Sequence, residues 1–154
     1  MRIEHLADQP EWVPVVAKWH WDEWGHLDPN GSLRGWMKRL AGRTNRDHIP
    51  TTFIAVDEGE PIGSAGLVTH DMDTRKDLSP WLSGVFVLPS HRSRGVATHL
   101  VRAATSKARS LGVDVLYLYT ASAVELYARL GWRELETCRF QGRDVTIMFK
   151  RLDS

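Results

Sequence analysis

The stretch VFVLPSHRSRGVAT, residues 85–98, predicts a strand that runs through a basic turn directly into a helix. The first amides of a helix have no partner within the helix and carry partial positive charge, so such a corner favours an anion such as a phosphate. Gly95 allows a close approach to the backbone, Ala97 leaves room at the helix end, and Arg92 adds charge. The stretch is neither a Walker A loop nor a GxGxxG fingerprint, and a plain strand-turn-helix with a basic surface explains it equally well.

Hydrophobic periodicity and turn residues on either side extend this unit into an α/β (α+β) sandwich. The first helix is expected to bury Trp12, Val15, Val16 and Trp19, which recur at helical spacing. The element order predicts a mixed, mostly antiparallel central sheet of about seven strands flanked by about four helices. The predicted elements are, in chain order, a strand over 1–6, helices over 10–25 and 32–42, strands over 51–57, 61–69 and 81–87, a helix over 95–112, a strand over 113–119, a helix over 121–130, and strands over 132–139 and 144–150.

Length and composition are those of a globular protein. The chain has 154 residues, of which 42% are hydrophobic and 25% charged, so one domain over 1–154 is expected and disordered, collagen-like and coiled-coil classes are excluded. No apolar run approaches the ~20 residues of a membrane span, and residues 1–10 lack the apolar segment of a secretory signal. A cytoplasmic protein with no membrane partner is therefore expected. The single cysteine, Cys138, excludes an intramolecular disulfide and a cysteine-based zinc site.

The formal net charge of +1 hides an uneven distribution. Acidic residues outnumber basic ones in 1–77, and the reverse holds in 78–154. This pattern indicates either two ligands of opposite sign or simply two solvated surfaces. No nucleic-acid partner is expected, because that would need a continuous basic face with exposed aromatic residues, and a phosphate site already explains the basic residues.

Two further motifs make the central stretch specific. The pattern Arg92-x-x-Gly95-x-Ala97 after a VFV strand resembles motif A of the GCN5-related N-acetyltransferases (GNAT), which is Gln/Arg-x-x-Gly-x-Gly/Ala. Downstream, LYARLGW (126–132) resembles the family's Leu-Tyr-x-x-x-Gly-Phe, with Trp132 in place of the usual phenylalanine. Upstream, FIAVDEGEPIGSAGLV (53–68) resembles the hairpin of the family's second and third strands. The resemblance covers residues 51–150, and it extends to the N-terminal helices only by the order of elements.

The resemblance implies that the protein binds acetyl-coenzyme A in a cleft where two central strands splay apart. The strand at 85–87 would bind the pantetheine arm through its backbone, and the amides of the following turn would hold the pyrophosphate. Residues 51–150 would form this cofactor-binding core, and residues 1–50 a wall of the acceptor site. Thr120 stands where the family often has an asparagine that contacts the cofactor. The cofactor-binding residues so implied are Val85, Phe86, Val87, Arg92, Ser93, Arg94, Gly95, Val96, Ala97, Thr98 and Thr120.

The resemblance also assigns Tyr127 as the general acid. A neutral amine attacks a thioester directly, so the chemistry needs a donor for the oxyanion and a proton for the departing thiolate. A backbone N–H at Phe86 or Val87 would serve as the first, and the Tyr127 phenol as the second. No cysteine nucleophile is required, and Cys138 is expected to be a small buried hydrophobe. The alternative for Tyr127 is an aromatic ring that packs on its helix.

The acceptor wall is expected to contain Glu23, Trp24, Trp36, His70 and Asp71. The tryptophans would hold an aliphatic or aromatic amine, although the favoured explanation for Trp12, Trp19 and Trp36 is that they belong to the core. The general base is left open between these acidic and histidine side chains and water. Further candidates for the base are His26 and Asp73. No metal site is expected, because His20 and His26 are six residues apart and lie on different faces of a helix.

The sequence thus predicts an acetyl-CoA-dependent N-acetyltransferase that acts on a primary amine of a small molecule in a ternary complex. The alternatives are an enzyme that acetylates protein or peptide amines, and a non-catalytic domain that binds or senses acyl-CoA. Tyr127 favours catalysis, because a pure binding domain needs no phenol at that position. The family resemblance is also compatible with a homodimer through the late strands.

Overall fold

Within residues 1–152, seven strands form one mixed sheet, and their order across the sheet is 2–5, 51–57, 60–68, 81–87, 115–120, 143–151 and 133–140. The structure is a computed structural model, and it describes residues 1–152. The predicted fold class, including seven strands and four α-helices, is confirmed. The elements are β1 Arg2–His5, α1 Val13–Trp24, α2 Leu33–Ala41, β2 Thr51–Asp57, β3 Glu60–Val68, β4 Trp81–Val87, α3 Val96–Ser110, β5 Val115–Thr120, α4 Val124–Arg129, β6 Arg133–Phe140 and β7 Arg143–Arg151.

The sheet is antiparallel except at its centre, where β4 and β5 run parallel. These two strands share a single registered pair, Trp81 with Tyr117. The amide of Tyr117 also donates to the carbonyl of Pro80, at 3.1 Å. Beyond this point β4 and β5 separate, so that a wedge opens between the two halves of the sheet.

Helices cover both faces of the sheet, because successive side chains of a strand point to opposite sides. In β2, Phe53 and Ala55 belong to the core beneath α3, whereas Ile54 and Val56 belong to a second core beneath α1. The first core includes α3, whose apolar face contains Leu100, Val101, Ala104 and Ala108. No helix within residues 1–152 is long and apolar enough to cross a membrane.

The start of α1 differs from the prediction. A 3₁₀ turn at Pro10–Trp12 precedes the helix, which begins at Val13. A 3₁₀ turn takes three residues instead of 3.6, so it changes the phase of the faces that follow. Val13, Val16 and Ala17 are therefore buried, whereas Val15, which was predicted to be buried, is 42% exposed.

Candidate active site

The wedge leaves one edge of β4 without a strand partner beyond Trp81. Near its middle, Gly84 and Val85 together stand opposite Ala65 of β3, which forms a bulge. Val87 pairs with Gly63, and the amide of Leu88, directly after β4, donates to the carbonyl of Ile62 in β3. By antiparallel geometry the N–H and C=O of Val87 therefore point away from β3 and into the wedge.

A half-buried histidine of α1 packs under the bulge. His20 Nε2 lies 2.8 Å from Ser64 Oγ, and the Ser64 hydroxyl donates to the carbonyl of Gly84 at 2.7 Å. Since Ser64 donates its hydroxyl proton to that carbonyl, Nε2 of His20 is the donor in the first bond. Burial lowers the pKa of His20 to about 4. Gly84 has φ +64°, and a Cβ there would lie 3.3 Å from the imidazole, so glycine suits both the backbone and the contact.

The relay from His20 through Ser64 to Gly84 was not predicted from the sequence. Its one local signal is that His20 follows Val16 and Ala17 by four and three residues, and so continues the buried face of α1. Ser64 lies 44 residues away along the chain, and no local pattern indicates the pairing.

The first turn of α3 offers its amides to the surface. The first intrahelical bond runs from the amide of His99 to the carbonyl of Gly95, at 3.1 Å, so the amides at 96–98 precede it. Gly95 is the N-cap, with φ +79°, and provides no side chain to these amides. A Cβ at Gly95 would meet nothing within 4 Å. The corner is therefore open to a ligand and has the donors that a diphosphate needs.

The two arginines of the turn differ in their surroundings. Arg92 turns back onto β4, where its Nε donates to the carbonyl of Val87 at 2.9 Å and its guanidinium lies 5.6 Å from the ring centre of Phe86. Arg92 was predicted to bind the ligand, but its Nε already donates a hydrogen bond to the protein backbone. Arg94 is exposed beside the open amides.

Tyr127 forms part of the wall of the cleft on the β5 side. It is 7% exposed and packs against Trp132 with ring centres 6.1 Å apart. Burial raises the pKa of Tyr127 to about 12, so the phenol keeps its proton at neutral pH and can donate it. Thr120 also lines the cleft, and its Oγ1 accepts from the amide of Ala123 at 2.9 Å, which leaves the hydroxyl proton free to donate.

The acceptor end of the cleft, of about 530 Å³ in all, brings together side chains from α1, α2, β5 and the loop after β3. Glu23, Trp24, Trp36 and Asp71, four of the five predicted acceptor-site residues, line it. His70 is exposed and lies outside the lining, as do two other base candidates, His26 and Asp73. Of the base candidates, the structure therefore brings Glu23 and Asp71 to the cleft.

Several charged lining residues were not foreseen. Trp36 Nε1 donates to Asp28 Oδ2 at 2.9 Å, and Arg39 lies 3.7 Å from the same oxygen and over the Trp36 ring at 5.1 Å. Arg43 and Arg143 also line the cleft. Trp36, Arg39 and Arg43 follow one another at helical spacing along and just after α2, whereas Asp28 and Arg143 come from other parts of the chain, so sequence spacing does not indicate that all of them converge.

Cys138 is only partly as expected. It packs against the apolar cluster that contains Phe140 and Trp81, but it is half-buried instead of fully buried. Strand β6 forms the edge of the sheet, and its side chains are mostly exposed. The position of Cys138 on this edge strand explains its remaining exposure.

Both the sequence and the fold match known proteins. The family model described as "Acetyltransferase (GNAT) family" matches residues 13–132. The chain belongs to the GNAT acetyltransferase family. Its relatives include "Aminoglycoside N(6')-acetyltransferase type 1" from Salmonella typhimurium and from Salmonella enteritidis, each 38% identical over 102 residues, which are 61% of this chain and 69% of the relative.

Solved structures agree with the assignment of the fold. A crystal structure of aminoglycoside 6'-N-acetyltransferase complexed with coenzyme A matches with a TM-score of 0.78 at 16% identity, over 100% of this chain and 98% of that one. Ribosomal-protein-alanine N-acetyltransferase from Brucella melitensis matches with a TM-score of 0.74 at 22% identity, over 98% and 99%. The predicted family and enzyme class are confirmed: this GNAT protein is an N-acetyltransferase.

Proposed function

We propose that this GNAT enzyme transfers an acetyl group from acetyl-CoA directly to a primary amine of a small molecule. The observation that carries the proposal is the wedge between β4 and β5. The free edge of β4 lines the wedge as far as Val85 and leads on to the open start of α3, and the buried phenol of Tyr127 lines the same wedge.

The donor side of the wedge fits coenzyme A. The free edge of β4 at 85–87 offers backbone partners to an amide-containing arm, in the manner of an added strand. The amides at 96–98 and the exposed Arg94 suit the diphosphate. A ligand that pairs with the carbonyl of Val87 must share it with Arg92 or displace the guanidinium.

The residues of the chain can carry both halves of the transfer. A thioester supplies an activated acyl group. The Val87 N–H points into the wedge, where it can stabilise negative charge that develops on the acyl oxygen. As the new C–N bond forms and the C–S bond breaks, the Tyr127 hydroxyl gives its proton to the leaving sulfur.

The amine must arrive neutral and must lose a proton during the transfer. Asp71 and Glu23 are the carboxylates available for this, directly or through water. Burial raises the pKa of Asp71, which strengthens it as a proton acceptor, while the nearby Arg43 charge and a hydrogen bond from Ser83 oppose the shift.

The substitution Tyr127→Phe tests the role of the phenol. We expect kcat to fall about 100-fold, because a positioned acid typically contributes that much or more, while the Kd for acetyl-CoA stays unchanged. The release of free coenzyme A thiol measures turnover, and calorimetry measures binding. Tyr117→Phe is the matched control, since the Tyr117 ring packs against Trp81 and does not line the cleft. Full turnover in Tyr127→Phe would remove the acid role.

The acceptor is tested with a panel of amines. The curated relatives are named for aminoglycosides, so an aminoglycoside belongs in the panel beside polyamines, amino acids and peptides. Acetylation of peptide amines in preference to small molecules would favour the alternative predicted from the sequence.

A further inference from the structure

Two arginines at the acceptor end of the cleft form no ion pair with any other residue of 1–152. Arg43 follows α2 and Arg143 begins β7, so they come from different walls. Among residues 1–152, no carboxylate oxygen lies within 4.0 Å of either guanidinium. Arg39, the third arginine in the lining, is by contrast paired with Asp28 at 3.7 Å.

The absence of a partner for these guanidinium groups lowers the stability of the folded protein. Nε of Arg143 is buried and has no hydrogen-bond partner within the described part of the chain. A buried donor without a partner costs about 1–3 kcal/mol, and more when it is charged. Burial also lowers the pKa of Arg43, and Asp71 offsets this only from beyond ion-pair distance. A buried donor without a partner in a native protein needs an explanation, and a bound water, ion or ligand is one such explanation.

The two charges act on a common neighbour. Tyr119 lines the cleft, and both guanidinium groups favour the ionised form of its hydroxyl, although burial dominates and raises its pKa. Arg43, Arg143 and Tyr119 line the same cleft as Asp71, whose charge acts on the Tyr119 hydroxyl in the opposite direction. The planar guanidinium group of an arginine can donate two parallel hydrogen bonds to the oxygen atoms of a carboxylate or a phosphate.

We propose that Arg43 and Arg143, beside the hydroxyl of Tyr119, form a subsite for an anionic oxygen group on the amine acceptor, either a carboxylate or a phosphate. The inference rests on the proposed function and narrows its substrate class. Glu23 and Asp71 in the same cleft suit the ammonium end of such a molecule. The cleft is thus bipolar and fits a zwitterion, whereas a polycation such as an aminoglycoside would meet two arginines that have no carboxylate within ion-pair distance.

Matched acceptors test the subsite. The series of ω-amino carboxylates from glycine to 6-aminohexanoate is compared with alkylamines of equal length, and O-phosphoethanolamine with ethanolamine. We expect at least one anionic acceptor to exceed its neutral partner about tenfold or more in kcat/KM, the value of one charge-assisted hydrogen-bond pair. The two arms distinguish a carboxylate from a phosphate, and kanamycin represents the polycation.

The variant Arg143→Gln removes one guanidinium group of the subsite. The ratio of kcat/KM for the anionic acceptor to kcat/KM for its neutral partner is then expected to fall toward one. Arg143→Lys keeps the charge and is expected to retain part of the preference. Arg39→Gln is the matched control and is expected to keep it, because Arg39 is already paired with Asp28. A wild-type preference for alkylamines or kanamycin, or an anion preference that Arg143→Gln leaves intact, overturns the subsite.

Calorimetry of the same ligands separates failure of the subsite from failure of the proposed function. Arg143-dependent binding of an amino carboxylate without any turnover supports the subsite and contradicts the proposed transfer to amines. Turnover of amines with no difference in binding between charged and neutral partners supports the transfer and contradicts the subsite.

Discussion

His20 lies beneath the β4 bulge, and its neutral ring is part of what keeps the bulge in place. The Ser64 hydroxyl relays the hydrogen bond from His20 to the carbonyl of Gly84, so the position of the neighbouring β4 backbone groups depends on this pair of side chains. A protonated ring at this half-buried position would carry a charge that the surrounding apolar rings of Trp24 and Phe86 do not offset.

This arrangement predicts a loss of stability in mild acid. The pKa of His20 is about 4 in the folded protein against 6.5 ordinarily, so the unfolded chain takes up the proton first as the pH falls. The free energy of unfolding should therefore decline between pH 6.5 and pH 4, by up to about 3 kcal/mol from this residue. Urea unfolding followed by circular dichroism across this pH range measures it.

The variant His20→Gln isolates the contribution of His20 to the pH dependence of stability. The carboxylates are the same in both proteins, so their contributions cancel when the two pH profiles are compared. Its unfolding free energy should change less between pH 6.5 and pH 4 than that of the wild type. His48→Gln, at an exposed loop position, serves as the control and should follow the wild type. Parallel pH profiles for wild type and His20→Gln would contradict the assignment.

At the level of elements, the first turn of α3 provides the sharpest test of the donor site. Gly95→Glu and Gly95→Gln place side chains of equal size at φ +79°, so both carry the same backbone strain of about 1 kcal/mol, and no protein atom lies within 4 Å of the new Cβ. They differ only in charge. We expect Gly95→Glu to bind coenzyme A about tenfold more weakly than Gly95→Gln, because a carboxylate beside the helix start repels the phosphates. Calorimetry measures the two affinities, and equal values would place the diphosphate elsewhere.

Elements with local signals were predicted well from the sequence. The bounds of β4 agree with the structure, Ser32 caps α2 through a 3.0 Å bond from the amide of Gly35, and the predicted turn at Gln141 and Gly142 joins β6 to β7 with two positive φ angles. Helix α4 is shorter than predicted. The Thr120 hydroxyl holds the amides of Ser122 and Ala123 in a turn, so the helix begins at Val124.

Features that depend on distant residues were not predictable in this way. The sequence pointed to Tyr127, the turn at 92–98 and four of the acceptor-wall residues, because family motifs or local charge indicated them. The cleft arginines, by contrast, meet only after α2 and the β6–β7 hairpin have packed around β5. The relay from His20 to Gly84 likewise joins three separate elements.

For the whole molecule, the weak junction between β4 and β5 divides the sheet into two halves that a ligand can bridge. Coenzyme A in the wedge would give the free edge of β4 new hydrogen-bond partners and would cover the start of α3. Amide hydrogen exchange should therefore slow at 85–87 and at 96–98 when acetyl-CoA is added, whereas the β6–β7 hairpin should be unaffected. Mass spectrometry of exchanged peptides measures this, and Gly95→Glu should show less protection at the same concentration. Protection at the hairpin alone would contradict the placement.

The positions of the tryptophans have a practical consequence. Trp24 and Trp36 are half-buried on the acceptor wall, whereas Trp81 and Trp132 are 0% and 3% exposed in the interior. An acceptor that enters the cleft replaces water around the first two indoles and leaves the interior pair as it was. The enzyme therefore contains its own optical reporter, and the intrinsic ultraviolet emission of the unlabelled protein can follow the arrival of a candidate substrate before any chemistry occurs.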